Sequence, residues 1–161
     1  MPNHREIKLL PYSAQQMYDL VADVPRYPQF LPWNAAARIR SRAAIPDGEV
    51  LDAELVISFK VFREKFGSRV TLLPARHRIE TEYLDGPFRH MRSTWAFQDR
   101  QDGGCEVEFF VDFEFRNAIL QAVIGVVFNE AMHRIVRAFE RRAADLYGPQ
   151  LGGPQLGGPQ R

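Results

Sequence analysis

Apolar and polar residues alternate along most of the first 115 positions, and the spacing then changes to that of a helix. A short strand is expected over residues 5–10, closed by Pro11. Ser13 is a good N-cap for a helix over residues 14–22. Pro25, Pro28 and Pro32 leave room only for a short helical turn around residues 27–31. Alternating runs follow at 36–44, 49–59, 62–73, 76–83, 88–98 and 105–115. Turn sequences such as Pro46-Asp47-Gly48, Asp85-Gly86-Pro87 and Asp102-Gly103-Gly104 separate several of them. The last run is the cleanest: Cys105, Val107, Phe109, Val111, Phe113 and Phe115 share one face. From 117 to 147 apolar residues recur at three-and-four spacing, with Asn117 placed to cap and Gly148-Pro149 to stop the helix. At 1.5 Å per residue such a helix is about 45 Å long.

This order predicts an α+β helix-grip fold. A curved antiparallel sheet of about six to seven strands wraps around the long C-terminal helix, with two short helices after the first strand. The dry face of the sheet is rich in Phe and Trp, and only the last helix is long enough to cover it. Large side chains on a bent sheet leave a hollow, and apolar hollows are where small molecules bind. The folded domain is expected over residues 1–147. The Gly/Pro/Gln repeat at 148–161 is expected to be disordered, because it has too little apolar surface to offset its ordering entropy.

Composition narrows the function. The 161 residues carry 21 Lys+Arg against 20 Asp+Glu, which lacks the charge excess of a DNA-binding protein. A single Cys gives no internal disulfide and no thiolate metal site, and His4, His77, His90 and His133 show no ligand spacing, so no metal site is expected. Cys105 sits in an apolar row and reads as core. No run approaches roughly 18 uninterrupted apolar residues and the start has no signal-peptide core, so a cytoplasmic setting is expected. The chain has no nucleophile elbow, P-loop or dinucleotide fingerprint. By strand parity the inward polar groups are few: Glu64, Ser68, His77, Thr81 and Ser93. Glu64 with His77 is the one candidate acid–base pair, a thin basis for an enzyme. No catalytic residue is assigned.

The candidate site is the expected cavity. Phe30, Leu31 and Trp33, in a proline-stiffened loop, suit a lid. Leu55, Ile57, Phe59, Phe66, Trp95, Phe97, Phe109 and Phe113 from strands, with Ile124, Phe128, Met132 and Ile135 from the helix, would line it. A filled core explains the same pattern. Lys60, Val61, Phe62 and Arg63 mix apolar and basic residues at a hairpin tip, which suits transient contact with an anionic membrane surface or an ordinary strand pair. Arg38, Arg40 and Arg42 on one strand, and His133, Arg134, Arg137 and Arg141 on the last helix, fit phosphate on lipid or RNA, or plain solvated faces.

Several segments carry a closer resemblance. They are Tyr27-Pro28-Gln29-Phe30-Leu31-Pro32-Trp33, Ala53-Glu54-Leu55, Phe62-Arg63-Glu64-Lys65-Phe66, Asp85-Gly86-Pro87-Phe88 with Trp95, and Val111-Asp112-Phe113-Glu114-Phe115. Together they resemble the coenzyme Q-binding protein family, a branch of the START-like polyketide cyclase/lipid-transport superfamily. The bacterial ribosome-association toxins share the fold and the stretch around residues 27–32. Asn34 departs from the family, which usually carries Cys there. The resemblance implies non-catalytic binding of a polyprenylated quinone, ubiquinone, in the sheet–helix cavity in support of respiration. It needs no further cofactor and implies a location in the cytoplasm or peripherally at the inner membrane. The alternative it implies is a ribosomal subunit as partner; a polyketide cyclase-like enzyme is a lesser one.

Overall fold

The computed structural model describes residues 3–59 and 61–148. The expected tail beyond Gly148, and Lys60, lie outside the described residues. Seven strands form one antiparallel sheet: β1 (Asn3–Leu10), β2 (Asn34–Ile45), β3 (Gly48–Phe59), β4 (Phe62–Leu73), β5 (Arg78–Asp85), β6 (Phe88–Asp99) and β7 (Cys105–Phe115). Helix α1 (Ala14–Ala22) and a 3-10 turn (Val24–Gln29) follow β1, and helix α2 (Ala118–Tyr147) follows β7. This is the expected helix-grip arrangement.

The strand order is β1-β7-β6-β5-β4-β3-β2. Every neighbour from β2 to β7 is a sequential hairpin, so only the β1–β2 passage crosses the sheet, through α1 and the 3-10 turn. Ser13 caps α1: its hydroxyl accepts from the Gln16 N–H while the Gln16 side chain accepts from the Ser13 N–H. Asn117 caps α2 by accepting from the Leu120 N–H at 3.0 Å. The far end of α2 is tied to α1 by the Tyr147 hydroxyl, which donates to the Gln16 carbonyl at 2.9 Å. Register shifts interrupt the pairing in β2, at Gly67/Ser68 and at Phe88/His90, and such bulges bend a sheet. Helix α2 meets β1, β7 and α1.

Two elements start elsewhere than the sequence suggests. The turn expected at 27–31 begins at Val24, because Pro25 is tolerated in the first helical turn and fixes its φ. The strand expected from Arg76 begins at Arg78. Pro74 opens a 3-10 turn, and His77 ends it in the left-handed region at φ 47°, its N–H donating to the Pro74 carbonyl.

The convex face is held by ion pairs. Arg38 and Arg40 reach Glu54 at 2.7 and 3.4 Å, and Lys65 reaches its other oxygen at 3.4 Å. Arg40 also grips Asp85 with two hydrogen bonds of 3.0 and 3.1 Å. It crosses Gly67 to do so: a Cβ there would stand 2.4 Å from the Arg40 Nη1. Arg42 pairs with Glu49, and Arg69 with Asp52. The arginine ladder of β2 is thus occupied by carboxylates and is not a free phosphate site.

Partial burial alone would raise the Glu54 carboxyl, but the hydrogen bond from Lys65 and the charges of Arg38 and Arg40 outweigh it and hold it below the usual range. A carboxyl depressed in the folded state stabilises above its unfolded value, about 4.3 for Glu, and loses that contribution as pH falls through the folded value. Glu54→Gln should therefore lower the melting temperature at pH 7. The difference from the unsubstituted chain should shrink as pH falls below 4, measured by circular dichroism melts across the series.

Candidate functional site

The concave face of the sheet and α2 enclose a cavity of about 240 Å³. Its floor comes from alternate residues of β3 to β7, including Leu55, Ile57, Phe59, Phe66, Trp95, Phe109 and Phe113. Its roof is Leu120, Ile124, Ala131, Met132, Ile135 and Phe139 of α2, and Leu31 and Trp33 close one side. Most of the rings pack edge-on or tilted, as where Trp95 meets Phe109 at 4.3 Å and Phe139 at 5.0 Å between centroids, while Phe88 stacks on Phe115.

Three of the expected lining residues do not border this space. Phe30 packs outward on Phe139 beneath the Arg142 guanidinium. Phe97 stacks on Trp95 and meets Tyr18 of α1 edge-on. Phe128 fills the contact of α2 with Phe113 and His4. In their place the fold brings in Val24, Tyr27, Asn34, Phe88 and Phe115, among others. Burial pushes the Tyr27 hydroxyl well above its usual range, so it stays a donor, here to the Val21 carbonyl.

One end of the sheet gathers the β3–β4 tip, the β5–β6 turn, the start of β2 and the start of α2, because Asn34 pairs with Ile57, Phe59 with Phe62 and Phe88 with Phe115. Trp33 sits here with φ 65°, a left-handed conformation that a bulky residue adopts only when its surroundings impose it. Its carbonyl accepts from the Ser58 N–H at 2.8 Å, and its indole lies between Phe59 at 5.7 Å and the Arg134 guanidinium at 5.3 Å. Of the expected membrane-contact residues, Val61 is 90% exposed and Arg63 is exposed, whereas Phe62 turns in to line the cavity. Ile119 and Val126 of α2 are 70% and 86% exposed. By length and composition α2 is apolar enough to cross a membrane, and only 33% of its most apolar stretch is buried.

The expected acid–base pair does not assemble. Glu64 lines the cavity near the β3–β4 tip. His77 ends the turn at the opposite end of the sheet, where its Nε2 meets the Gln15 Oε1 at 3.1 Å. Cys105 is fully buried, and burial pushes its thiol up to about 11, which leaves it inert.

Sequence spacing offers no histidine pair, yet the fold makes one from opposite ends of the chain. Glu6 on β1 meets the His4 Nε2 at 2.9 Å and the His133 Nδ1 at 3.1 Å. These ligand atoms lie within 4.8 Å of one another and are able to hold a metal ion. The Glu6 carboxylate also satisfies both rings without one. A second, polar groove lies outside the cavity, between Pro28–Pro32 and Arg134, Arg137 and Arg141 of α2.

Known proteins can be set beside this geometry. The sequence profile described as polyketide cyclase / dehydrase and lipid transport matches residues 10–140. The chain is 39% identical over 149 residues to the ribosome association toxin RatA of Rickettsia prowazekii, covering 91% of this chain and 99% of that one. It is 33% identical over 151 residues to the mitochondrial coenzyme Q-binding protein COQ10 homolog B of Xenopus laevis, covering 91% of this chain and 60% of that protein. An 18 kDa protein of Caulobacter crescentus has the same fold in solution, with a TM-score of 0.77 at 33% identity over 92% of this chain and 100% of that one. Both relatives suggested by the sequence motifs recur, the toxin at the higher identity and coverage. A START-like domain with an apolar cavity, matched along most of its length, makes this chain a member of the polyketide cyclase/dehydrase and lipid transport family.

Proposed function

We propose that this protein is a non-catalytic, ribosome-associating member of its family. The observation that carries this reading is the near full-length 39% identity with a ribosome association toxin. The surface supports it. Net charge is only +1, so binding to RNA needs a local patch, and the groove beside Pro28–Pro32 supplies one. There Arg137 pairs with Glu130, Arg134 meets only the Trp33 ring, and Arg141 has no partner among the described residues. Arginine beside an aromatic ring suits phosphate and base contacts of RNA. The separation of Glu64 from His77 supports a role without chemistry.

The cavity favours a second reading: that it holds an isoprenoid quinone such as ubiquinone. Its apolar lining suits such a ligand, and the relative from Xenopus laevis is a coenzyme Q-binding protein. Exposed Val61, Ile119 and Val126, with Arg63 beside them, then form the contact with a membrane surface from which the quinone is drawn. The two readings are compatible, since groove and cavity lie on opposite sides of one loop, sharing only Leu31 and Pro32 in their linings.

Two measurements separate them. In sucrose gradients the protein should co-sediment with a ribosomal subunit, and the bound fraction should fall as salt rises. Arg134→Glu with Arg141→Glu should lower the salt slope by about 2. Free migration at all salt concentrations contradicts the first reading. Organic extraction of protein purified from quinone-containing cells should release isoprenoid quinone, read by mass spectrometry. Protein that carries none, and takes none up when offered it, contradicts the second.

A further inference from the structure

The cavity is apolar but not uniformly so, and its polar atoms are placed in order. Ser68 on β4, Thr81 on β5 and Ser93 on β6 lie on adjacent central strands and all face the hollow. Thr81 stands directly opposite Ser93, and Ser68 lies two residues along, opposite Tyr83. Ser68 is 3% exposed. None of the three hydroxyls has a hydrogen-bond partner among the described residues. Their strand backbones are paired within the sheet, so the side chains compete with nothing local.

A buried hydroxyl without a partner costs stability relative to an apolar residue of the same shape. Ser68 is the buried one, whereas Thr81 and Ser93 are half-buried and line the hollow; the three together, on a mostly apolar floor, point to an external acceptor. Nearer the β3–β4 tip Asn34 and Glu64 flank Ile57, each facing it across the sheet or next to it in register. The Asn34 Oδ1 is buried and unpartnered, and its Nδ2 donates only to the Pro32 carbonyl at 3.3 Å. Glu64 has no cationic partner among the described residues. No Lys, Arg or His is among the described residues that line the hollow, so nothing there neutralises an anionic head group.

We infer that the cavity selects a neutral amphiphile whose head carries hydrogen-bond-accepting oxygens: Ser68, Thr81 and Ser93 donate to carbonyl or ether oxygens of the head, and the apolar tail runs out past Trp33 and Phe59. This rests on the second reading above, that the cavity holds a ligand, and adds which head group it takes and which way round. The size agrees. About 240 Å³ is less than the roughly 300–1,000 Å³ of common small-molecule pockets, so a ring and the first part of a tail fill it and a longer tail leaves past Trp33 and Phe59, at the end of the sheet that carries the exposed Val61. Fatty acids and phospholipids, whose heads are anionic or zwitterionic, fit this floor less well than a quinone ring or another neutral oxygenated head.

The test uses the full chain and three probes of matched chain length: a short-chain ubiquinone, a headless isoprenoid hydrocarbon and a fatty acid, titrated by intrinsic tryptophan fluorescence. The quinone should bind at least about tenfold more tightly than either competitor, as expected for one to two net hydrogen bonds. A Ser68→Ala, Thr81→Val, Ser93→Ala variant should lose that preference while holding the hydrocarbon within about twofold, since its cavity keeps its shape. Ser93→Ala alone should move in the same direction by less, and serves if the triple variant does not fold. An unchanged preference in these variants, or tighter binding of the fatty acid, overturns the head-group assignment alone. Failure of the unsubstituted chain to bind any of the three overturns the ligand-holding reading and this proposal with it.

Discussion

One helix has to cover a sheet that is wider than a helix. Seven strands about 4.8 Å apart span about 29 Å, whereas a helix with its side chains is about 10–12 Å across. Helix α2 settles toward β1, β7 and α1 and leaves the floor of β3 to β6 partly uncovered. The sheet responds by bending at its bulges, and its aromatic rings and the Trp33 loop fill much of the gap. What they do not fill is the cavity. The hollow is therefore a consequence of the layer geometry, and any function assigned to it has to use that apolar space.

The two faces of the sheet solve opposite electrostatic problems. On the convex face nearly every acidic group of β3 and β4 has a basic partner, and Glu54 alone meets Arg38, Arg40 and Lys65. On the concave face the hydroxyls of Ser68, Thr81 and Ser93 have no partner among the described residues. Solvent-facing pairs contribute little individually, but a shared network at a curved sheet fixes the register on which the concave face depends. Positive charge left over for a partner lies instead on α2 beside the proline-rich loop. The groove proposed to face a ribosome and the hollow proposed to hold a ligand can thus coexist on a domain of near-neutral charge.

Much of this fold is legible in the residues. The alternation of β7, the three-and-four spacing of α2 and the caps Ser13 and Asn117 each fix an element by local physics. The motifs around residues 27–33 and 111–115 locate the family, although ranking its branches required whole-chain comparison. The cavity lining is legible by parity on the strands, where Leu55, Ile57, Phe59, Trp95 and Phe109 all face in. Parity alone does not tell how far a residue lies from the gap, so Phe97 and Phe128 share the inward face yet are packed under α1 and β1. His77 misleads because Pro74 begins a turn that removes it from the strand. The His4–Glu6–His133 cluster is invisible to spacing, since it depends on where α2 crosses β1.

The central claim is that the space beneath α2 admits a guest. Methyl-resolved NMR of the full chain during titration with a short-chain ubiquinone tests it most directly. The account predicts shifts in the methyls of Ile57, Ile79, Val111, Ile124 and Ile135, which line the hollow, with little change at exposed Ile7 and Leu9 on β1. Shifts absent from the lining methyls, or confined to the outer surface, would contradict it.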